Sequence, residues 1–227
     1  MGEEDIFSHR RRILVERLVA GGFVKDKKVI DALMRVPREI FLPKELRDQA
    51  YDDTPLPIGY GKTISAPHMV AIMDEALELE EDQKILEIGA GSGYHAATIA
   101  EIIVKQQKTR GHVYTVEIVP ELVGQARKNL KKASYASAVT VVLGDGSLGY
   151  MEKAPYDRIL VTAAAPQVPP TLLEQLKPKG LLVIPVGGQY SFQKLVVARK
   201  DVKNKVRFED RGGVAFVPLL GKYGFED

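Results

Sequence analysis

From residue 69 onward one pattern recurs along the chain: a helical apolar stretch, a short β-branched run, then a turn built on glycine or an acid. Apolar residues at helical spacing predict helices over 69–79, 96–104, 120–132 and 170–176. Short apolar runs predict strands over 84–88, 112–116, 139–143, 158–162, 181–185 and 195–199. Strands that alternate with helices build βαβ units, and such units form a mostly parallel sheet covered on both faces. The expected fold is α/β and doubly wound, of the Rossmann-like kind.

The N-terminal third reads differently. Ile13, Leu14, Arg17 and Leu18 recur at helical spacing until Gly21-Gly22 stops the run. A second helix is expected over 27–35, with Val29, Ile30, Leu33 and Met34 on one face, ending ahead of Pro37. From 51 to 67 prolines and glycines crowd the chain without periodicity. A loop of this kind inside a compact chain is usually functional, seldom a mere connector. The expected organisation is a helical cap with this loop over 1–76 and a sheet core with a substrate-lining C-terminal segment over 77–227.

Composition narrows the chemistry. The 227 residues contain no cysteine, which excludes disulfides, thiolate nucleophiles and zinc–thiolate sites. The apolar stretch at 180–186 is too short to cross a bilayer, and the N-terminus lacks the apolar core of a signal peptide. A cytoplasmic protein without membrane contact is the expectation. A net charge of +2 is far from that of a dedicated nucleic-acid binder, so no nucleic-acid partner is expected. The cluster Arg127-Lys128 with Lys131-Lys132 reads as a solvated helix end, where cations complement the macrodipole. His9, His95 and His112 show no i,i+4 pairing, and no metal site is expected.

Chemistry concentrates at three strand ends. The segment Leu86-Glu87-Ile88-Gly89-Ala90-Gly91-Ser92-Gly93-Tyr94 carries a buried strand into three glycines at alternate positions. Glycine allows tight turning and close approach of a ligand to the backbone. In open α/β sheets ligands bind beyond the carboxyl ends of the strands, where this turn falls. A dinucleotide fingerprint would place its third glycine at Tyr94, and its acid about 20 residues on, nearer than Glu117. Both departures fit the methyltransferase fingerprint Glu/Asp-x-Gly-x-Gly-x-Gly. Glu117 ends the next strand, where one carboxylate can grip two vicinal ribose hydroxyls; alternatively it is an acid favoured at the helix start before Pro120. Asp145, in Gly144-Asp145-Gly146, ends a third strand and offers an acceptor for an adenine amino group, or makes an ordinary Asp-Gly turn.

The loop Thr63-Ile64-Ser65-Ala66-Pro67-His68-Met69, preceded by Pro55-Leu56-Pro57-Ile58-Gly59, resembles the signature loop of the protein-L-isoaspartate O-methyltransferases. The run from Ala154-Pro155-Tyr156-Asp157 to Ala165-Pro166, the segment Gln175-Leu176-Lys177-Pro178 and the segment Gly213-Val214-Ala215-Phe216-Val217-Pro218-Leu219 are similar to that family as well. The resemblance covers the chain from about residue 30 to its end. It implies methyl transfer from S-adenosyl-L-methionine, giving S-adenosyl-L-homocysteine, to the free α-carboxylate of L-isoaspartyl residues in damaged peptides and proteins. It also implies Ser65 as the catalytic serine, with Ala66 and His68 beside the substrate. Thr63, Ile64, Glu87, Gly89, Ala90, Gly91, Gly93, Glu117, Ile118, Asp145 and Gly146 are the implied donor contacts, and 214–219 the implied peptide wall. The last strands are implied to be ordered unlike those of other methyltransferases. Lys62 departs from the glutamine that many members carry.

The chemistry agrees with the side chains available. An α-carboxyl of pKa ~3.5 is ionised at neutral pH and needs no general base. A neutral Ser65 hydroxyl can orient one carboxylate oxygen. Ser65 as a covalent nucleophile would want a Gly-x-Ser-x-Gly elbow, which the loop lacks. His68 either buttresses the loop and touches substrate or simply starts the helix that follows. Two other readings stand beside this one: a methyltransferase for RNA or a small molecule, which lacks an Asn-Pro-Pro-Tyr-like motif here, and a non-catalytic binding module. A monomer is expected.

Overall fold

A computed structural model describes residues 3–104, 110–189 and 191–226. Helix α1 (Glu3–Ala20) ends as its two glycines dictate: Gly22 takes φ +74°, and the Phe23 N–H reaches back to the Leu18 carbonyl at 3.0 Å. Helix α2 (Lys27–Arg35) is capped by Asp26, whose carboxylate accepts from the Lys28 N–H at 2.8 Å. Two 3₁₀ turns lead into the 51–67 segment, which is not wholly irregular. It contains a hairpin of β1 (Leu56–Gly59) and β2 (Lys62–Ile64), closed by Tyr60 and Gly61, both at positive φ. Helix α3 (Pro67–Ala76) follows with proline in its first turn.

The remaining elements alternate as the sequence predicts: β3 (Lys84–Ile88), α4 (Tyr94–Ile103), β4 (His112–Glu117), α5 (Pro120–Lys132), β5 (Val139–Leu143), β6 (Tyr156–Val161), α6 (Pro170–Gln175) and β7 (Leu176–Gly187). Two antiparallel strands complete the sheet, β8 (Gln193–Lys200) and β9 (Val206–Val214). The seven strands lie in the order β5-β4-β3-β6-β7-β8-β9, the first five parallel. The last three strands are thus neighbours in chain order. β7 begins five residues ahead of its predicted start at 181, and β9 had no counterpart in the sequence reading.

Both faces of the inner strands are buried, and side chains alternate between them. Ile85, Val113, Leu160, Leu181 and Val183 face a core shared with α1 to α5. Leu86, Ile88, Ile159, Val161, Leu182 and Ile184 face a second core with Tyr156 and Leu172. The N-terminal helices therefore pack into the first sheet core, through Leu14, Leu18, Val29 and Leu33. Glu75, near the end of α3, accepts from the Lys25 and Asp26 N–H groups and ties α3 to the start of α2. In α5, Arg127 donates to the Val141 carbonyl at 2.7 Å, while Lys128, Lys131 and Lys132 are exposed. Among the described residues no helix is long and apolar enough to cross a membrane.

Candidate active site

Three cavities share walls at the carboxyl ends of β3, β4 and β6. The first, about 530 Å³, is bounded by Ile88, Gly89, Gly91, Val116, Glu117, Ile118 and Gly146. The second is an open groove of about 1760 Å³ between the 55–69 segment and the 213–220 segment. The third, about 340 Å³, lies between the Ser65 loop and the glycine turn, against Ile64, Ala90, Tyr94 and His95. Thr63 and Thr162 line all three, and Ser65 lines the second and third. The spaces join at these three residues.

The glycine turn beside the first cavity is bare backbone for a steric reason. Gly89, Gly91 and Gly93 have φ of +94°, +53° and +89°, a region that side-chain-bearing residues enter at a cost. A Cβ on Gly89 would also collide with Thr162 Oγ1, and one on Gly146 with the Ile88 side chain. Thr162 Oγ1 sits 3.0 Å from the Ile88 carbonyl and 2.8 Å from that of Gly89, so β6 and the turn after β3 are fastened together. Glu117, 6% exposed, is held in one orientation by three backbone N–H groups. Gly91 donates to Oε2 at 2.9 Å, and Ile118 and Val119 donate to Oε1 at 3.0 Å. Ile118 keeps 39% of its surface exposed at the cavity rim.

Of the expected donor contacts, Thr63, Ile64, Gly89, Ala90, Gly91, Glu117, Ile118 and Gly146 line the first or third cavity. Glu87, Gly93 and Asp145 line none of the three. Glu87 is fully buried beneath the turn because its strand position faces the core side. Gly93 caps α4, and a side chain there would press on Leu130, so its freedom serves helix packing. Asp145 caps a 3₁₀ turn through the Ser147 N–H at 2.8 Å, and its Oδ2 accepts from the Lys222 N–H at 2.8 Å. Each carboxylate oxygen can accept two hydrogen bonds, so Oδ2 retains capacity for a ligand.

The groove is assembled from distant segments pinned by side chains. Asp53 Oδ1 accepts both the His68 N–H and the His68 ring at 2.9 Å, which fixes the start of α3 just after Ser65. His68 therefore begins the helix and, with Ala66, also lines the groove. Opposite it, Val214 to Pro218 line the groove. The buried Gln193 holds this wall: it accepts from the Phe216 N–H at 2.7 Å and donates to the Phe216 carbonyl at 3.1 Å. Ala164 brackets the next residues, donating to Val217 and accepting from Leu219, both at 2.8 Å.

Buried charges gather behind the turn. His95 Nε2 lies 3.0 Å from Asp74 Oδ1, with the two side chains 7% and 0% exposed. Burial would lower the imidazole's pKa, but Asp74, with Glu87 nearby, outweighs it and holds the ring above its ordinary value. Burial pushes the Glu87 carboxyl up to about 7, with His95 opposing the rise. The fully buried Arg38 guanidinium stands over the Tyr94 ring at 5.0 Å. Among the described residues no group of three or more His, Cys, Asp or Glu converges as metal ligands would.

Sequence reasoning missed Thr162, His95 and Gln193. Thr162 had a findable signal, since it follows β6 as Gly89 follows β3. His95 and Gln193 had none, because their partners Asp74 and Phe216 are brought near only by tertiary packing.

Comparison with known proteins agrees with this geometry. A family model described as protein-L-isoaspartate(D-aspartate) O-methyltransferase matches residues 9–224. The protein-L-isoaspartate O-methyltransferase of Hyperthermus butylicus is 54% identical, over 99% of this chain and 94% of its own. That of Methanopyrus kandleri is 53% identical, over 100% and 99%. A crystal structure of the Plasmodium falciparum enzyme of that name, in complex with S-adenosyl-L-homocysteine, superposes with a TM-score of 0.81 at 26% identity, covering 92% of this chain and 98% of that one. With its strand-end cavities in place and its similarity running nearly end to end, the chain belongs to the protein-L-isoaspartate(D-aspartate) O-methyltransferase family.

Proposed function

We propose that this chain transfers a methyl group from S-adenosyl-L-methionine to the free α-carboxylate of L-isoaspartyl residues, with Ser65 at the point of transfer. The observation that carries the reading is the junction of the three cavities at Thr63, Thr162 and Ser65. A donor seated against the strand ends and a peptide laid in the groove have one place to meet.

The residues fit such a donor. The floor of the first cavity is backbone at Gly89 and Gly146, where a Cβ would collide with Thr162 or Ile88. Glu117, already oriented by three N–H groups, presents a carboxylate to ribose hydroxyls. Ile118 and Ile88 offer apolar faces to a base, and Asp145 Oδ2 an acceptor at its edge. When bound, S-adenosyl-L-methionine supplies a methyl group on a sulfonium, open to in-line displacement by an oxygen nucleophile.

The chain's own contribution is placement. An isoaspartyl α-carboxylate arrives ionised, so no residue needs to take a proton from it. The Ser65 hydroxyl donates to one carboxylate oxygen and leaves the other to attack. A cation in that position would hold the carboxylate more strongly but would also draw charge from the attacking oxygen. A peptide seated in the groove displaces water from around the carboxylate, which raises its reactivity. Correct placement alone is able to remove ~7–11 kcal/mol of barrier.

The test uses labelled S-adenosyl-L-methionine and two peptides that differ only in one linkage. The isoaspartyl peptide is expected to gain base-labile methyl ester, and its normal aspartyl twin to gain none. Equal labelling of both would remove the repair reading, and labelling of neither, with donor binding intact, would favour a binding module.

A further inference from the structure

One side chain beside the Ser65 loop has no part in the reaction as described. Lys62, the first residue of β2, borders both the first cavity and the open groove. Among the residues that line the groove it is the only Lys, Arg, Asp or Glu. His68, which also lines the groove, is already engaged with Asp53 at 2.9 Å. Among the described residues, Lys62 Nζ makes no hydrogen bond or ion pair. The residue is partly exposed. A lysine in such a place lays its stem along apolar surface and keeps its ammonium in water, open to an anion.

We propose that Lys62 is a specificity-determining residue that selects isoaspartyl peptides with an acidic side chain within about three residues of the isoaspartyl. The inference rests on the acceptor reading above and adds a substrate preference to it. Two neighbours leave the peptide as the ligand that the ammonium serves. The methyl donor has one net positive charge, from a sulfonium and an ammonium against one carboxylate, so a further cation beside it is repelled. Glu117 shares the first cavity with Lys62, but its oxygens accept from the Gly91, Ile118 and Val119 N–H groups. No ion pair joins Glu117 to Lys62 among the described residues. The peptide is the ligand that can bring an anion.

The spacing sets where that anion lies. Lys62 precedes Ser65 by three residues, a span of roughly 10 Å at the rise of a strand. An extended peptide covers the same span in about three residues. With the isoaspartyl carboxylate at Ser65, an acidic side chain up to that far along the groove meets the Lys62 ammonium. The opposite wall, from Val214 to Pro218, carries no charged side chain to compete for it. Over about one Debye length the field of the ammonium at the attacking oxygen is largely screened. Lys62 therefore holds the peptide without drawing charge from the nucleophile.

The discriminating experiment measures kcat/KM for isoaspartyl peptides that differ at one flanking position, which bears Glu, Gln or Lys. The substituted position is moved through the three residues on either side of the isoaspartyl. At one or more positions the parent is expected to favour Glu over Gln by about threefold at low salt, and Gln over Lys by a similar factor. The preference should fade at about 0.5 M sodium chloride. Lys62→Gln is expected to abolish the ranking and Lys62→Glu to reverse it. Should Lys62→Glu fail to fold, Lys62→Gln carries the comparison alone. Calorimetry with S-adenosyl-L-homocysteine is run on each variant. A parent indifferent to the flanking charge, or a Glu preference that survives in Lys62→Gln, would overturn the assignment. So would a Lys62→Gln loss confined to donor affinity. Each of these outcomes leaves methyl transfer to the Gln-bearing isoaspartyl peptide intact. A parent that methylates none of the isoaspartyl peptides would instead overturn the acceptor reading itself.

Discussion

The two halves of the active site are built on different principles. The donor half is backbone at the ends of three adjacent parallel strands, fixed by the sheet register and by glycines whose φ excludes other residues. The acceptor half joins segments near residues 53–69, 162–165 and 213–220, and side-chain hydrogen bonds from Asp53 and Gln193 pin it together. The first is rigid because the core beneath it is rigid; the second is as rigid as a few polar contacts make it. Damage to one should therefore alter donor affinity, and damage to the other peptide affinity, with Ser65 belonging to neither binding term alone.

Ser65→Ala tests that separation most severely. If the hydroxyl acts by orienting the attacking carboxylate, its loss should lower kcat by about 10²-fold, the scale of a lost catalytic alignment. The donor Kd should stay within about twofold, because the strand-end cradle is untouched. Steady-state kinetics with an isoaspartyl peptide and calorimetry with S-adenosyl-L-homocysteine measure the two quantities. Parallel losses in both would mean that Ser65 supports the donor and that the two halves are not separable.

The same contrast explains what could be read from the sequence. The donor half was legible because its residues follow one another along βα units: Gly89 after β3, Glu117 at the end of β4, Gly146 after β5. Strand periodicity located the strand ends, and the glycine spacing distinguished the turn from a dinucleotide site. The acceptor half came from resemblance, since nothing local in 214–219 says that it lies opposite Ser65. Two structural elements escaped for identifiable reasons. The β1–β2 hairpin is short and contains Pro57, which hides its alternation. β9 is a charged edge strand, Val206 to Val214, mostly exposed on both faces, so it lacks the apolar run that marks a buried strand and carries charges that discourage edge pairing. Glu87 is a different case. Its place in the fingerprint predicts a ligand contact, yet its side chain points into the core.

That burial gives a way to sharpen the donor side of the comparison. Glu87 has an ordinary pKa of 4.5 and is pushed up to about 7 in the fold. A carboxyl raised in this way favours the folded state in its neutral form. Its contribution is fully present below 4.5 and is lost as pH rises through about 7. Glu87→Gln removes the ionisation, so the variant should gain stability relative to the parent as pH rises. The difference should be small at pH 4.5 and about 3 kcal/mol by pH 8, on the scale of 1.36 kcal/mol per unit between 4.5 and about 7. Urea midpoints of both proteins at the two pH values measure it. A difference that does not change with pH would show that the cavity-side turn rests on no such buried ionisation.

The smallest expected effect probes the acceptor side. Gln193, 3% exposed, forms a two-point clamp on the Phe216 backbone and touches neither the donor cavity nor Ser65. Gln193→Leu keeps the volume roughly constant but leaves the Phe216 N–H and carbonyl unpaired, at a cost of about 1 kcal/mol each if they remain buried. The wall relieves that cost by moving toward water, and a groove with a displaced wall binds peptide less well. The peptide KM should rise about fivefold, while kcat and the affinity for S-adenosyl-L-homocysteine change by less than twofold. A loss concentrated in donor affinity would mean that strain in the 213–220 segment passes through Leu219 and Leu220 to the first cavity, which both residues line. The two halves would then act as one mechanical unit, and the division drawn from their construction would not extend to their energetics.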